Sequence, residues 1–183
     1  MGSLFSAKKI SEFLKSQGRK LSTETVYNYL DFLESALIIE RVKRFDIKGK
    51  KFLETQEKIF LMDVGVRNAL LGYRPNDISA LLENAVFLRL RQSGFSVYVG
   101  KQGGSEVDFV AIHGDQRFFL QVCYLITPEN QQRGFGPLKS VKDNYPKIVL
   151  TLSPLVSGND EGIIVANLVE FLKKPNRYIP FNL

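Results

Sequence analysis

Two carboxylates two residues apart open the chemistry of this sequence. In Ser105–Tyr124, SEVDFVAIHGDQRFFLQVCY, the stretch Val107, Phe109 and Ala111 alternates with Glu106, Asp108, Val110 and Ile112. His113-Gly114-Asp115-Gln116 reads as a polar turn, and Phe118, Leu120 and Val122 alternate again on the return. This is a β-hairpin. Glu106 and Asp108 share one face of its first strand, and Gln121 and Cys123 share one face of the second. Carboxylates paired on a strand suit a hard divalent cation such as Mg²⁺, which can activate water. Gln121 and Cys123 on the return strand add neither an acid nor a lysine. The alternative is an ordinary hairpin with a solvated acidic face.

The elements around the hairpin follow from apolar periodicity. Asn76-Asp77 is placed to cap a helix running to about Gln92, with Leu81, Leu82, Ala85, Val86, Leu88 and Leu90 wrapping widely around it, as on a helix packed against a sheet. Glu83 and Asn84 lie among these positions. A carboxylate there sits at the edge of the stripe or has a cation or metal partner. Phe95–Val99 is a strand, Gly100–Gly104 a loop, and Pro128–Tyr145 a helix that Gly134, Gly136 and Pro137 should interrupt. Ile148–Leu152 and Gly162–Val165 are strands separated by a loop at Ser157–Asp160, and Leu168–Lys173 is a closing helix. The order describes an α/β (α+β) sandwich around a mixed sheet.

The N-terminal third reads differently. Ser6–Gln17 is a short helix with Ile10, Phe13 and Leu14 on one stripe. Ser22 caps a second, with Val26, Leu30, Leu33 and Leu37 expected in the core. Strand Ile38–Phe45, a turn at Asp46–Lys50, a return strand from Phe52 and a short third strand at Ile59–Leu61 complete a winged helix-turn-helix over residues 1–62. Residues 1–62 hold 12 Lys/Arg against 8 Asp/Glu. Lys43, Arg44, Lys48, Lys50 and Lys51 on the wing, with Asn28 on the second helix, are the candidate nucleic-acid contacts. Glu24, Asp31 and Glu34 on that helix oppose a duplex, which favours the wing.

The whole chain sets the outer limits. It has 183 residues, a net charge of +6 and 44% hydrophobic residues, enough for a sizeable core. One cysteine and one histidine exclude an internal disulfide and any multi-histidine or cysteine-based metal site. No apolar run is long enough to span a membrane, and the cytoplasm is the expected compartment. Met1-Gly2-Ser3 reads as a cloning scar, implying a piece of a longer chain. No G-x-x-x-x-G-K-[ST] loop is present.

The succession of a winged helix, LLENAVFLRLRQSGFSVYVGKQGGSEVDFV and a strand ending in Gln121-Val122-Cys123 resembles the C-terminal half of a family of prokaryotic AAA+ superfamily ATPases, of the DUF4143 type. The resemblance implies a PD-(D/E)xK nuclease-like domain over 63–175 and a C-terminal tail over 176–183. It also implies an ATPase half, absent here, that would alone bind ATP and be a natural partner. Within it Glu83 matches the helix glutamate, Asp108 the metal-binding aspartate and Gln121 the second acid, while Cys123 falls at the lysine. Lys101, on the preceding loop, is the nearest replacement lysine. Gln131, followed by Phe135, gives only part of a Q-x-x-x-Y signature. The resulting expectation is a module that binds DNA or a protein partner, with a degenerate nuclease-like site. The alternatives are a metal-dependent endonuclease using Glu83 and Asp108, or a protein-interaction and oligomerisation module only.

Overall fold

The computed structural model describes residues 6–72, 74–154 and 158–180. The Met1-Gly2-Ser3 start lies outside them. One mixed sheet of eight strands, in the order β2-β1-β3-β4-β5-β6-β8-β7, runs through the described residues. Its strands are β1 (Ile39–Asp46), β2 (Lys51–Leu61), β3 (Ser96–Gln102), β4 (Ser105–His113), β5 (Gln116–Cys123), β6 (Lys147–Thr151), β7 (Gly158–Asp160) and β8 (Ile163–Asn167). Helices α1 (Ala7–Ser16), α2 (Thr23–Ser35), α3 (Val64–Leu71), α4 (Ile78–Gln92), α5 (Gln131–Lys139) and α6 (Leu168–Lys173) surround it. None of the described helices is long and apolar enough to cross a membrane.

Two apolar clusters fill the two faces of the sheet. On one, Val86, Phe87 and Leu90 of α4 pack on Phe109, Ala111, Leu120 and Ile148, with Phe60 of β2 stacked on Phe87 at 4.3 Å between centroids. On the other, Phe135 and Leu138 of α5 pack on Val107, Val110 and Phe119. Phe135, the residue in the partial Q-x-x-x-Y position, is therefore core. Ile179, within the expected C-terminal tail of 176–183, is fully buried in the first cluster, while residues 181–183 lie outside the described ones.

The N-terminal hairpin is not a free-standing wing. Strand β1 pairs in parallel with β3 through Arg44, Phe45 and Asp46, so the sheet runs on without a break at the expected boundary near residue 62. The anticipated third strand at Ile59–Leu61 is the end of a single long β2. This strand pairs with β1 in two stretches. Val42 faces Lys58 and Arg44 faces Leu53, so the one residue Lys43 is matched by four, 54–57. Such an excess bends a strand sharply, and it lets the second half of β2 lie against α4. There the Asn84 side chain accepts from the Leu61 backbone N–H at 2.8 Å and donates to the Leu61 carbonyl at 2.8 Å.

Several local expectations change. Leu33 and Leu37 are exposed, because α2 turns only Val26 and Leu30 toward Ala7 and Ile39, and Leu37 lies beyond the helix end with φ of 54°. Phe13 is exposed as well. Residues 158–160 form β7 instead of a loop, by pairing with β8. Asp77 gives α4 no capping bond, because its carboxylate pairs with buried Arg67. Helix α5 runs through Gly134, Gly136 and Pro137. A Cβ on Gly134 would stand 2.7 Å from Cys123 Sγ, so glycine is what lets this helix close on β5.

Gly100 has the same role at the crossing of β1, β3 and β4. A Cβ there would lie 2.9 Å from both Ile47 Cδ1 and Val107 Cβ. Gly100→Ala is expected to destabilise the fold by about 1–3 kcal/mol through overpacking, read by urea unfolding. A midpoint equal to that of the parent would contradict this packing.

Candidate functional site

Strand β4 does not alternate strictly. Tyr98 faces Val110 and Gly100 faces Val107, so β4 carries one extra residue at its crossing with β3. Val107 and Val110 lie on the α5 face, and Phe109 and Ala111 on the α4 face. Glu106 and Asp108 flank Val107 and therefore point to the α4 face too. The bulge turns both carboxylates and Phe109 the same way, a re-aiming for which bulges are suited.

Glu83 of α4 projects toward them from above. It is buried, and its partner is a cation that the sequence did not single out: Lys58 of β2, with a side chain 2% exposed. The Lys58 ammonium donates to Glu83 Oε1 and, at 3.1 Å, to Glu106 Oε1. Glu83, Glu106 and Asp108 each offer an oxygen within 4.8 Å of the others. Asp108 is clamped from below. Its Oδ2 accepts from the Val122 backbone N–H at 2.8 Å, while Gln121 Oε1 accepts from the Asp108 backbone N–H at 3.3 Å. These reciprocal bonds bridge β4 and β5 beyond their last ladder pair, Phe109 with Leu120. The four groups sit at one wall of an open cavity of about 960 Å³, which Ser79 and Ala80 of α4, Gln121–Leu125 and the first turns of α5 also line.

The cluster is electrostatically unbalanced: three carboxylates face one ammonium. Burial pushes the Lys58 pKa down, but Glu83, Asp108 and Glu106 together outweigh burial and hold it above the ordinary lysine value. Burial raises Glu83, and Glu106 adds to that against the pull of Lys58. Burial first, and then the negative charge of Glu83, push Asp108 up to about 7. A hard divalent cation fits this donor set, which is all carboxylate oxygen and includes no histidine or cysteine.

The sequence candidates sort accordingly. Glu83 and Asp108 come together as expected, joined by Glu106. Gln121 reaches the cavity and its carbonyl takes part in the strand clamp. Cys123 packs against α5 on the other face. Lys101 pairs with Glu106 across β3 and β4 and shares its face, yet the ammonium bonded to Glu106 is that of Lys58. Arg117 stacks on Phe45 and Tyr145 on the opposite face. Of the wing candidates, Lys48, Lys50 and Lys51 are exposed, whereas Lys43 pairs with Glu54 at 3.8 Å. Arg44 is half-buried in β1, and Asn28 is exposed on α2. Asp31 and Glu34 are held by Arg41 at 2.7 and 2.6 Å, so these acids and one of the 12 bases of residues 1–62 neutralise each other. The signal for Lys58 was its place two residues before Phe60, on the inward side of a strand.

A domain of unknown function, DUF8612, matches residues 1–77. An uncharacterized protein of Haemophilus influenzae is 37% identical over 172 residues, covering 94% of this chain and 42% of its own length. An uncharacterized protein of Methanocaldococcus jannaschii is 34% identical over 162 residues, covering 86% of this chain and 35% of its own. The chain thus spans less than half the length of these relatives. No solved structure matches.

Two stability measurements probe the cluster. Lys58→Met leaves buried carboxylates without their counter-ion and is expected to cost about 3–5 kcal/mol near pH 8, with a smaller loss near pH 5, where the carboxylates take up protons. Equal losses at both pH values would contradict the pairing. Asp108 holds its proton in the folded chain up to about pH 7, whereas the unfolded chain releases it near 3.8. Its contribution therefore makes stability fall as pH rises between those values. Asp108→Asn, which mimics the protonated form, should flatten that fall in urea titrations across the same range.

Proposed function

We propose that this chain is a divalent-metal-dependent phosphodiesterase module acting on nucleic acid, with Lys58 supplying the cation that Cys123 does not. The observation that carries this reading is the convergence of Lys58 with Glu83, Glu106 and Asp108, from three separate elements, at the wall of an open cavity. A lysine and three acids fixed only for stability need no cavity, and one acid would suffice to neutralise the ammonium.

Glu83, Glu106 and Asp108 would hold the metal. A bound Mg²⁺ or Mn²⁺ would supply an activated water and polarise a phosphoryl oxygen. The chain's own groups do the rest. The ammonium of Lys58, fixed by Glu83, stabilises negative charge that develops on the phosphoryl group. The Val122 N–H orients the Asp108 carboxylate, and Gln121 holds the strand beneath it. Phe60 and Phe109 close the apolar side of the cluster to water.

A second reading has its own support. The relatives extend well beyond the matched region, and α1, α2 and the turn after α2 expose Phe13, Phe32 and Leu37. The chain would then also tether a larger protein, such as the AAA+ ATPase that the sequence resembles, to its DNA or protein partner.

Mn²⁺ calorimetry with cleavage of a labelled oligonucleotide tests the first reading. Binding should vanish in Asp108→Ala and weaken as pH falls below about 7, because Asp108 must release its proton to act as a ligand. Lys58→Met should keep the metal and lose about 10²–10³-fold in cleavage rate, the scale of one lost electrostatic stabiliser. Absence of Mn²⁺ heat in the parent protein would sink the catalytic reading and leave the tether.

A further inference from the structure

The strand register joins the candidate site to the hairpin tip. Glu106 of β4 pairs with Lys101 of β3, Lys101 with Asp46 of β1, and Asp46 with Lys51 of β2. Paired residues on neighbouring strands share a face. The four residues therefore stand in one row across four strands, on the side that bears the acid cluster. At roughly 4.8 Å per strand, the backbone of Lys101 is about 5 Å from that of Glu106, and Lys51 is about 14 Å away. Beyond Lys51, the exposed Lys48 and Lys50 occupy the turn. The acid in the row is engaged, since Asp46 Oδ1 accepts from the Gly49 backbone N–H at 3.0 Å to close that turn.

These lysines differ from three other cations of β1 and β2. Arg41 is bound to Asp31 and Glu34, Lys43 to Glu54, and Lys58 to Glu83 and Glu106. Among the described residues, Lys48, Lys50, Lys51 and Lys101 form no ion pair. A row of uncommitted ammonium groups leading to a carboxylate cluster is not a fit for an acidic protein, whose own carboxylates would meet Glu106 at the end of the row. It does fit a phosphodiester chain, whose phosphates take lysines along their length and whose reacting phosphate requires a cation-bearing acid cluster.

We infer that a polynucleotide strand lies along this row, with Lys101 and then Lys51 meeting successive phosphates on one side of the one at the acid cluster and the Lys48–Lys50 turn holding the strand farther out. The end point of the track rests on the phosphodiesterase reading; the track itself rests on the register.

Fluorescence anisotropy with labelled single-stranded and duplex oligonucleotides of one sequence tests it, in the Asp108→Asn background so that nothing is cleaved. Lys101→Ala and Lys51→Ala should each weaken binding several-fold and together about tenfold or more, and each should reduce the salt slope by about one. Lys174→Ala, beyond α6, should bind like its parent. Binding that responds to Lys51→Ala but not to Lys101→Ala would overturn the row and return the contact to the hairpin tip alone. Equal affinity in all variants would overturn it outright. If the protein with Asp108 intact cleaves nothing while the row variants lose affinity, the catalytic reading fails and the track stands. Cleavage by a protein whose binding ignores both lysines gives the reverse.

Discussion

The structure turns on a single buried ammonium. A lysine amine removed from water costs several kcal/mol unless charge and hydrogen bonds replace its hydration, and Lys58 finds both in Glu83 and Glu106. Those partners stand on α4 and β4, so the pairing constrains three elements at once. Asn84, next to Glu83, clamps the backbone of Leu61, three residues after Lys58, and Phe60 stacks on Phe87 between them. Polar and apolar contacts thus reinforce the same placement of β2 on α4. The fit is still not the one that stability alone would select. Replacing such a cluster with packed apolar groups is commonly neutral or favourable, and a third carboxylate added to one ammonium raises the cost further. The excess shows in Asp108, whose proton is held to about pH 7 by burial and by the charge of Glu83.

Two irregularities in the sheet make the cluster possible. Without the extra residue in β4, Asp108 and Phe109 would face opposite ways, and the apolar floor beside the acids would be lost. Without the four residues of β2 set against Lys43, the strand would continue straight past α4 and Lys58 would not reach Glu106 across the width of the sheet. The β4–β5 fork adds a third adjustment, in which side chains replace ladder bonds: Asp108 takes the Val122 N–H and Gln121 takes the Asp108 N–H. Gln121 can do this because a neutral amide brings no further charge to the cluster.

What the sequence made legible follows from range. The pair Glu106 and Asp108 is a two-residue relation and could be read directly, as could the order of helices and strands and the oddity of Glu83 in an apolar helix. Lys58 is 25 residues from Glu83 and 48 from Glu106, and the bulge before it hides its register. Attention to Cys123 and Lys101 as the sites of a missing or displaced lysine followed chain proximity, whereas the sheet brings the amine from its far edge. Charge counting had the same limit. It counted Arg41 with Lys48 and Lys51 among the 12 bases of residues 1–62, although Arg41 is consumed by two acids of α2 and the lysines are not. Exposed Leu33 and Leu37 show the limit of periodicity, which marks an apolar stripe without saying how much of it a short helix can cover.

The segment that matches the domain of unknown function ends at Asp77, one residue before α4. It contributes Lys58 to the cluster, and the rest of the chain contributes Glu83, Glu106 and Asp108. Neither part holds a balanced set. The first alone would bury an ammonium with no carboxylate, and the second alone would gather three carboxylates with no cation. The parallel pairing of β1 with β3 makes the join part of the sheet itself, so the hairpin cannot swing away without breaking ladder bonds and exposing Phe60. The division of this chain into a helical N-terminal unit and an α/β body describes the order of its elements. The charges of the site are drawn from both sides of that division.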